Sequence, residues 1–259
     1  MMDDIINQMP ASMDNTTPVA RRVQRVRHEL RLRELRVLHT AALGPGFVSV
    51  TLGGDALTDF VSLGFDDHVK VFLDTGAGEP VKRDYTPRRF DAARRELTIE
   101  FALHGPGPAS DWARQAVPGQ RLVVGGPRGS MVLPTDWDWQ LLAGDTTALP
   151  AIARRLEELP AGARVTVLAQ VDHPDDRRVW TTAADVQTLW TASATNWLAA
   201  LRTLDLPPGE GFAWCAGEAA VMAQARAILA RSHGLPREAM RVAAYWKRGA
   251  EAYHAAVED

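Results

Sequence analysis

The apolar residues of this chain change their period near Pro134, and that change restricts the fold more than any other feature of the sequence. Before it they recur at every second position. Val48, Val50 and Leu52 flank Ser49 and Thr51; Val69, Val71 and Leu73 flank Lys70 and Phe72; Leu97, Ile99, Phe101 and Leu103 flank Thr98, Glu100 and Ala102. A further short run covers residues 122–124. A period of two belongs to strands with one buried face. Turn signals such as Gly44-Pro45-Gly46, Gly53-Gly54-Asp55, Gly76-Ala77-Gly78 and Gly125-Gly126-Pro127 separate the runs. Short strands at this spacing predict a closed or nearly closed antiparallel β-barrel.

After Pro134 the pattern becomes βαβ. Residues 140–143 form an apolar strand, Gly144-Asp145-Thr146-Thr147 a turn, and 148–159 carry helical spacing through Leu149, Ile152, Leu156 and Leu159. Further strands are expected at 165–171, 212–216 and 242–246, with a helix over 218–233 closed by Gly234. This half predicts an α/β domain on a parallel sheet. The 259 residues exceed the ~150 of a single average domain. Two domains are therefore expected, 21–135 and 136–259, the second with a C-terminal helical segment. Trp137 and Trp139 at the boundary read as exposed aromatics of an interdomain seam or a dimer face.

Charge and composition exclude several classes. Lys and Arg number 29 against 32 Asp and Glu, a net charge of −3, which argues against a general grip on nucleic acid. No apolar run approaches the ~20 residues that span a bilayer, so no membrane partner is expected. Cys215 is the only cysteine, so neither a disulfide nor a thiolate metal cluster is expected, and the histidines show no ligand spacing. The first twenty residues lack the basic and apolar regions of a secretory signal, and a cytoplasmic location is expected. Residues 21–36 hold seven arginines among apolar residues and read as a short helix or extended arm leading into a strand, with a solvated basic face.

Several stretches carry chemistry. In Lys82-Arg83-Asp84-Tyr85-Thr86-Pro87-Arg88, an Arg fork suits a phosphate, a Tyr offers a flat face, and a Thr before Pro is held extended with its hydroxyl outward. The same residues also read as a barrel-rim turn with solvated charges. His104-Gly105-Pro106-Gly107-Pro108-Ala109-Ser110 runs from a strand into a helix for which Ser110 is the expected N-cap, a start that suits a pyrophosphate or is simply a capped surface helix. Gly125-Gly126-Pro127-Arg128-Gly129-Ser130 lets backbone approach a ligand. The turns at Gly144-Asp145-Thr146-Thr147-Ala148 and Cys215-Ala216-Gly217-Glu218 fall where a doubly wound sheet receives ligands.

In order and spacing, these stretches resemble the siderophore-interacting proteins, flavin-dependent ferric-siderophore reductases of the ferredoxin–NADP reductase superfamily. The resemblance also takes in Asp66-Asp67-His68-Val69-Lys70 and Tyr245-Trp246-Lys247-Arg248-Gly249, and covers roughly residues 21–250. It implies a flavin-binding β-barrel followed by a nicotinamide-binding domain, with FAD bound non-covalently and NADPH or NADH as reductant. Arg83 would pair with a flavin phosphate, Tyr85 would pack along the ring or ribityl chain, and Thr86 would face the reactive ring edge. His104, Gly105, Ala109 and Trp112 would serve the FAD pyrophosphate and adenosine, with Gly129 and Ser130 also in the cofactor set. Asp145, Thr147, Ala148 and Glu218 would line the nicotinamide nucleotide site. Lys70, Arg128 and Lys247 would surround the mouth and attract an anionic ferric siderophore.

No acid–base dyad, nucleophile or protein metal ligand is required, because the cofactor carries the redox chemistry. Asp172 would suit the ribose diol of NADH, whereas Arg177 and Arg178 would suit the 2′-phosphate of NADPH. Two other functions share the residues: a general flavin reductase with a different acceptor, and a non-catalytic siderophore carrier. Oligomeric state is not legible.

Overall fold

Alternation along the first half requires a sheet with one buried face, and the computed structural model bends that sheet round on itself. The structure describes residues 23–250 except 75, 77, 104 and 106, together with 255 and 256. In chain order the first half holds β1 (Gln24–Arg27), β2 (Leu32–Ala42), β3 (Phe47–Gly53), β4 (Val69–Leu73), β5 (Val81–Tyr85), β6 (Pro87–Asp91) and β7 (Glu96–Ala102). Helix α1 (Pro108–Gln115), β8 (Arg121–Gly125) and β9 (Gly129–Val132) follow. Seven of these strands form one antiparallel sheet in the order β5-β4-β8-β2-β3-β7-β6. Its two edge strands, β5 and β6, are consecutive in sequence with only Thr86 between them. The sheet therefore curls until its edges meet, the nearly closed barrel that the turn spacing predicted.

Inside lie Leu35, Val50, Leu52, Val69, Val71, Ile99, Phe101 and Val124, all fully buried. Arg33 points inward as well, and its guanidinium donates to the carbonyls of Ala56 at 2.9 Å and Gly126 at 3.1 Å and to Asp59 at 3.1 Å. A buried charge is tolerable when its donors are met in this way.

The arginine-rich stretch is extended, with no helix among its described residues. β1 pairs antiparallel with β9 from Gln24↔Val132 to Arg27↔Gly129, and this pairing satisfies its backbone; Arg21 and Arg22 lie outside the described residues.

The second half holds β10 (Trp139–Gly144), α2 (Leu149–Glu158), β11 (Arg164–Gln170), β12 (Asp185–Thr191), α3 (Ala194–Thr203), β13 (Gly211–Glu218), α4 (Ala219–Arg231), β14 (Met240–Trp246) and β15 (Ala255–Ala256). The sheet order is β12-β11-β10-β13-β14-β15, parallel from β12 to β14 and antiparallel at β15. β10 is buried along its whole length and β13 up to Gly217, as strands covered on both faces must be. The chain runs outward from β10 to β12 and then restarts at β13, so the switch point lies between β10 and β13. A crevice opens there at the strands' carboxyl ends. Among the described residues β14 is followed by the short strand β15 and not by the expected helical segment.

The halves share a core. Phe47, Phe65, Met131 and Leu133 of the first half pack in one cluster with Trp137, Leu149, Ile152 and Trp214. The expectation of exposed tryptophans at the boundary is thereby corrected. Trp137 is buried against Phe212 in this seam, ring centroids 5.5 Å apart, and Trp139 is buried in the core on the other face of the parallel sheet.

Polar clamps cross the same seam. Arg88 of β6 grips Glu157 of α2 through both terminal nitrogens, one at 2.9 Å, and Arg154 donates to the carbonyls of Pro87 at 2.9 Å and Ser62 at 3.0 Å. Arg178 sits 4.6 Å over the ring of Phe47 and 2.9 Å from Glu100. Arg155 donates to Gln140 at 3.0 Å, to the carbonyl of Leu133 at 3.0 Å and to that of Pro134, and burial lowers its pKa to about 10.

Candidate cofactor and substrate cleft

A cleft of about 1320 Å³ lies along the seam. One wall is the barrel edge, with residues 82–86, Glu100, Ala102, Leu103, Gly105 and 107–110; the other is the carboxyl edge of the parallel sheet, with residues 145–147, Gln170, Asp172, 218–222 and 245–248.

The barrel wall follows from the join at Thr86. Because β5 and β6 are edge strands that meet there, Arg83, Tyr85 and Thr86 are carried to the opening. The Tyr85 ring packs 4.4 Å from that of Phe101, and burial raises its hydroxyl pKa well above the usual value. Arg83 donates to the carbonyl of Lys82 at 3.0 Å at the exposed rim. Thr86 is buried at the barrel side of the cleft, which Tyr245 lines from the parallel-sheet side.

Gly105 and Ala109 also line this wall. Helix α1 begins one turn earlier than the Ser110 cap predicts: Gly107 is the N-cap, Pro108 opens the helix, and Ser110 is buried within it. Proline's fixed φ and missing N–H make it a better first residue than a mid-helix position, and this outweighs the capping preference of serine. A Cβ built on Gly105 or Gly107 would touch nothing within 4 Å. His104 lies outside the described residues. Trp112 is not in the cleft; its ring stacks behind Phe101, centroids 5.4 Å apart.

The parallel-sheet wall is organised by Asp145. Its Oδ1 accepts from the backbone N–H of Thr147 at 2.9 Å and from the Thr147 hydroxyl at 2.5 Å. Its Oδ2 accepts from the N–H of Glu218 at 2.9 Å and from the indole of Trp246 at 2.8 Å. One carboxylate thus ties the loops after β10, β13 and β14. Only glycine fits at 217, where φ is +156° and a Cβ would come within 2.6 Å of Asp145 Oδ2. Glu218 caps α4, accepting from the N–H groups of Ala220 at 2.7 Å and Val221 at 3.1 Å, and from that of Arg248 at 3.3 Å. Its own carboxylate therefore occupies the positive end of α4, at a turn where the strand-to-helix geometry suggested a ligand. Ala148 is fully buried behind the wall.

The basic residues divide. Lys247 lines the rim and is exposed. Lys70 is paired with Asp84, its cross-strand neighbour, at 2.7 and 2.9 Å, and it is not part of the lining. Arg128 is exposed outside the cleft. Gly129 and Ser130 are also elsewhere: Gly129 lies opposite Arg27 in the β1–β9 ribbon, where a Cβ would strike the Val26 carbonyl. The buried Ser130 hydroxyl contacts Asp67 at 2.6 Å and His28 at 2.8 Å. Arg178 is engaged at the seam and Arg177 is exposed away from the lining, whereas Asp172 does line the cleft.

Sequence reasoning assigned no role to one cluster here. The Tyr245 hydroxyl donates to Asp66 Oδ1 at 2.6 Å, and Asp66 Oδ2 pairs with Arg241. Asp66 and Tyr245 both fall in stretches quoted above, but nothing in the chain order signals that they meet.

Comparison with known proteins gives a consistent result. The family model described as "Siderophore-interacting FAD-binding domain" matches residues 36–81 and 74–131, and that described as "Siderophore-interacting protein" matches 137–249. A protein of Escherichia coli (strain K12) named NADPH-dependent ferric-chelate reductase is 38% identical over 263 residues, covering 90% of this chain and 98% of its own length. The ferric vibriobactin reductase ViuB of Vibrio cholerae is 32% identical, covering 79% of this chain and 86% of its own. The crystal structure of a siderophore utilization protein from T. fusca superposes with a TM-score of 0.81 at 35% identity, covering 89% of this chain and 98% of that one.

Proposed function

Since the chain belongs to the siderophore-interacting protein family, we propose that it is an NAD(P)H-dependent ferric-siderophore reductase that uses FAD to reduce chelated Fe(III) to Fe(II) and so release the iron. Fe(II) is held more weakly than Fe(III) by oxygen chelators. The observation that carries the reading is the single cleft in which the Arg83–Thr86 segment faces the carboxyl edge of the parallel sheet.

The donor set fits FAD. Arg83 provides a phosphate fork, Tyr85 backed by Phe101 an aromatic face, and the open glycines before α1 a close backbone approach for a pyrophosphate. On this reading residues 21–135 hold FAD and 136–259 hold NAD(P)H. Bound FAD would supply the exchange between two-electron reduction by the nicotinamide and one-electron reduction of iron.

The protein's own groups orient and exclude. With FAD bound, Thr86 would lie at its reactive edge, and the wall at 145–147 and 218–222 would receive the nucleotide, with Asp172 favouring a ribose diol. Lys247 and Arg83 draw an anionic chelate to the rim, while Asp84 offsets Lys70. Arg128 would act only at longer range. Among the described residues no helix is long and apolar enough to cross a membrane; a cytoplasmic site of action belongs to the same proposal.

The test is the absorption spectrum of the purified protein, before and after NADPH or NADH and then after a ferric chelate. Flavin bands that bleach with nucleotide and return with the chelate are expected. A colourless protein that takes up no FAD would overturn the reading in favour of a carrier, and bleaching without reoxidation by any ferric chelate would favour a reductase with another acceptor.

A further inference from the structure

Lys247 and Arg248 are exposed and both line the cleft, in the turn that follows β14. The turn is closed by the Ala250 N–H, which donates to the Lys247 carbonyl at 3.1 Å, and its third residue is Gly249 at φ +76°, where a type II turn needs glycine. Two carboxylates of the parallel-sheet wall hold this turn from outside it. Asp145 Oδ2 accepts from the Trp246 indole at 2.8 Å, and Glu218 Oε1 accepts from the Arg248 N–H at 3.3 Å. Lys247 is thus held on both flanks. The other oxygen of Glu218 serves α4, accepting from the N–H groups of Ala220 at 2.7 Å and Val221 at 3.1 Å. One oxygen therefore grips the helix and the other the turn. By charge alone a carboxylate at this rim would repel an anion, so its use there must come from what it holds in place.

We propose that Glu218 is a positioning residue for a cationic rim: anchored on α4, it fixes the backbone at 248 so that Lys247 and Arg248 together meet an anionic ferric chelate. The inference rests on the reading above, in which Lys247 draws that chelate, and it adds Arg248 to the contacts. A turn that is already fixed loses less freedom when the chelate arrives than a loose one would. The benefit goes to charged chelates, because an uncharged one has no Coulomb attraction to the two side chains. Glu218 thus sets the preference of the rim for anionic over neutral iron complexes without touching either.

The experiment measures Kd for an anionic ferric tris-catecholate and for an uncharged ferric tris-hydroxamate, by quenching of tryptophan fluorescence in the full chain loaded with FAD at low salt. The quantity read is the ratio of the two affinities. Glu218→Gln keeps one acceptor oxygen, which caps α4, and puts an amide NH2 where the turn needs an acceptor. Its expected effect is about a twofold fall in the preference for the anionic chelate, vanishing near about 1 M salt. A carboxylate that acted only through its charge would give the opposite sign, since its removal would strengthen the anion. A role confined to the nucleotide, or a general loosening of the wall, would leave the ratio unmoved. Either result overturns the proposal. Lys247→Ala combined with Arg248→Ala should lower the ratio by more, and Glu218→Gln added to that pair should cause no further loss; a further loss overturns the proposal. If Glu218→Gln does not fold, Glu218→Asp decides: it keeps the charge and a good helix cap but falls one methylene short of the turn, so it must lower the ratio, and a parental ratio overturns the proposal. A parental ratio in the Lys247→Ala and Arg248→Ala protein overturns the cationic rim itself, and a parent that binds neither chelate overturns the ferric-chelate reading, outcomes distinct from those above.

Discussion

On the parallel-sheet wall of the cleft two carboxylates are bonded inward: Asp145 accepts from Thr147, Glu218 and Trp246, and Glu218 accepts from the amides that open α4. On the barrel wall Arg83 and Tyr85 lie along the opening, and the glycines before α1 face open space. The first arrangement makes a rigid surface with its anion-binding helix end already capped. The second lines the opening with a guanidinium and an aromatic face. That difference suits a nucleotide that docks and leaves on one wall and a cofactor that stays on the other.

The comparison breaks most readily at Asp145. Asp145→Ala removes the acceptor for four donors on three loops and should destabilise the protein by about 3 kcal/mol in urea unfolding. If it weakened nucleotide binding with stability unchanged, the Asp145 carboxylate would be a ligand contact and not a structural tie. The counterpart is Arg83→Ala, for which FAD affinity by fluorescence titration should fall roughly 10- to 100-fold. The unfolding midpoint of the same apoprotein should hardly change.

Glu157 tests the seam that brings the walls together. Burial alone would raise its pKa, but the hydrogen bonds and charge of Arg88 overcome this and hold it below the ordinary 4.5. Its contribution is therefore complete above that value and is lost as pH falls through the lowered one. Glu157→Gln should cost about 1–2 kcal/mol at pH 7, and the difference from the parent should shrink in acid. The smallest effect is expected at the exposed rim. Lys247→Ala should raise KM for an anionic ferric chelate only about two- to fivefold at low salt, and not at all near 1 M salt.

What was legible in the sequence followed periodicity. Val69, Val71 and Leu73 announced β4, and Leu149, Ile152 and Leu156 announced α2, because each buries a regular face. β5 and β6 escaped notice as strands because an edge need not bury both faces, and Lys82, Arg83, Arg88 and Arg89 read as a charged turn. β12 is also an edge strand, and α3 buries only Trp197 and Leu201, too few to declare a helix.

At the site, the resemblance carried Arg83, Tyr85, Thr86 and Lys247 to the cleft. Lys70 and Ser130 went elsewhere because their partners, Asp84 and Asp67, are fixed by strand register and packing that no local spacing reveals. Tyr245 and Asp66 are separated by 179 positions in the chain, and only the docking of the halves brings them together.

The single-residue link between β5 and β6 makes chain length at that point a quantised variable. Lengthening it by one residue would exchange inward and outward side chains all along β6. Arg88 would then swing away from Glu157, and the same insertion would displace Thr86 from its place in the cleft lining. One extra amino acid would thus disturb the cleft lining and the cohesion of the halves together, whereas additions in the hairpin between β4 and β5 would leave both intact.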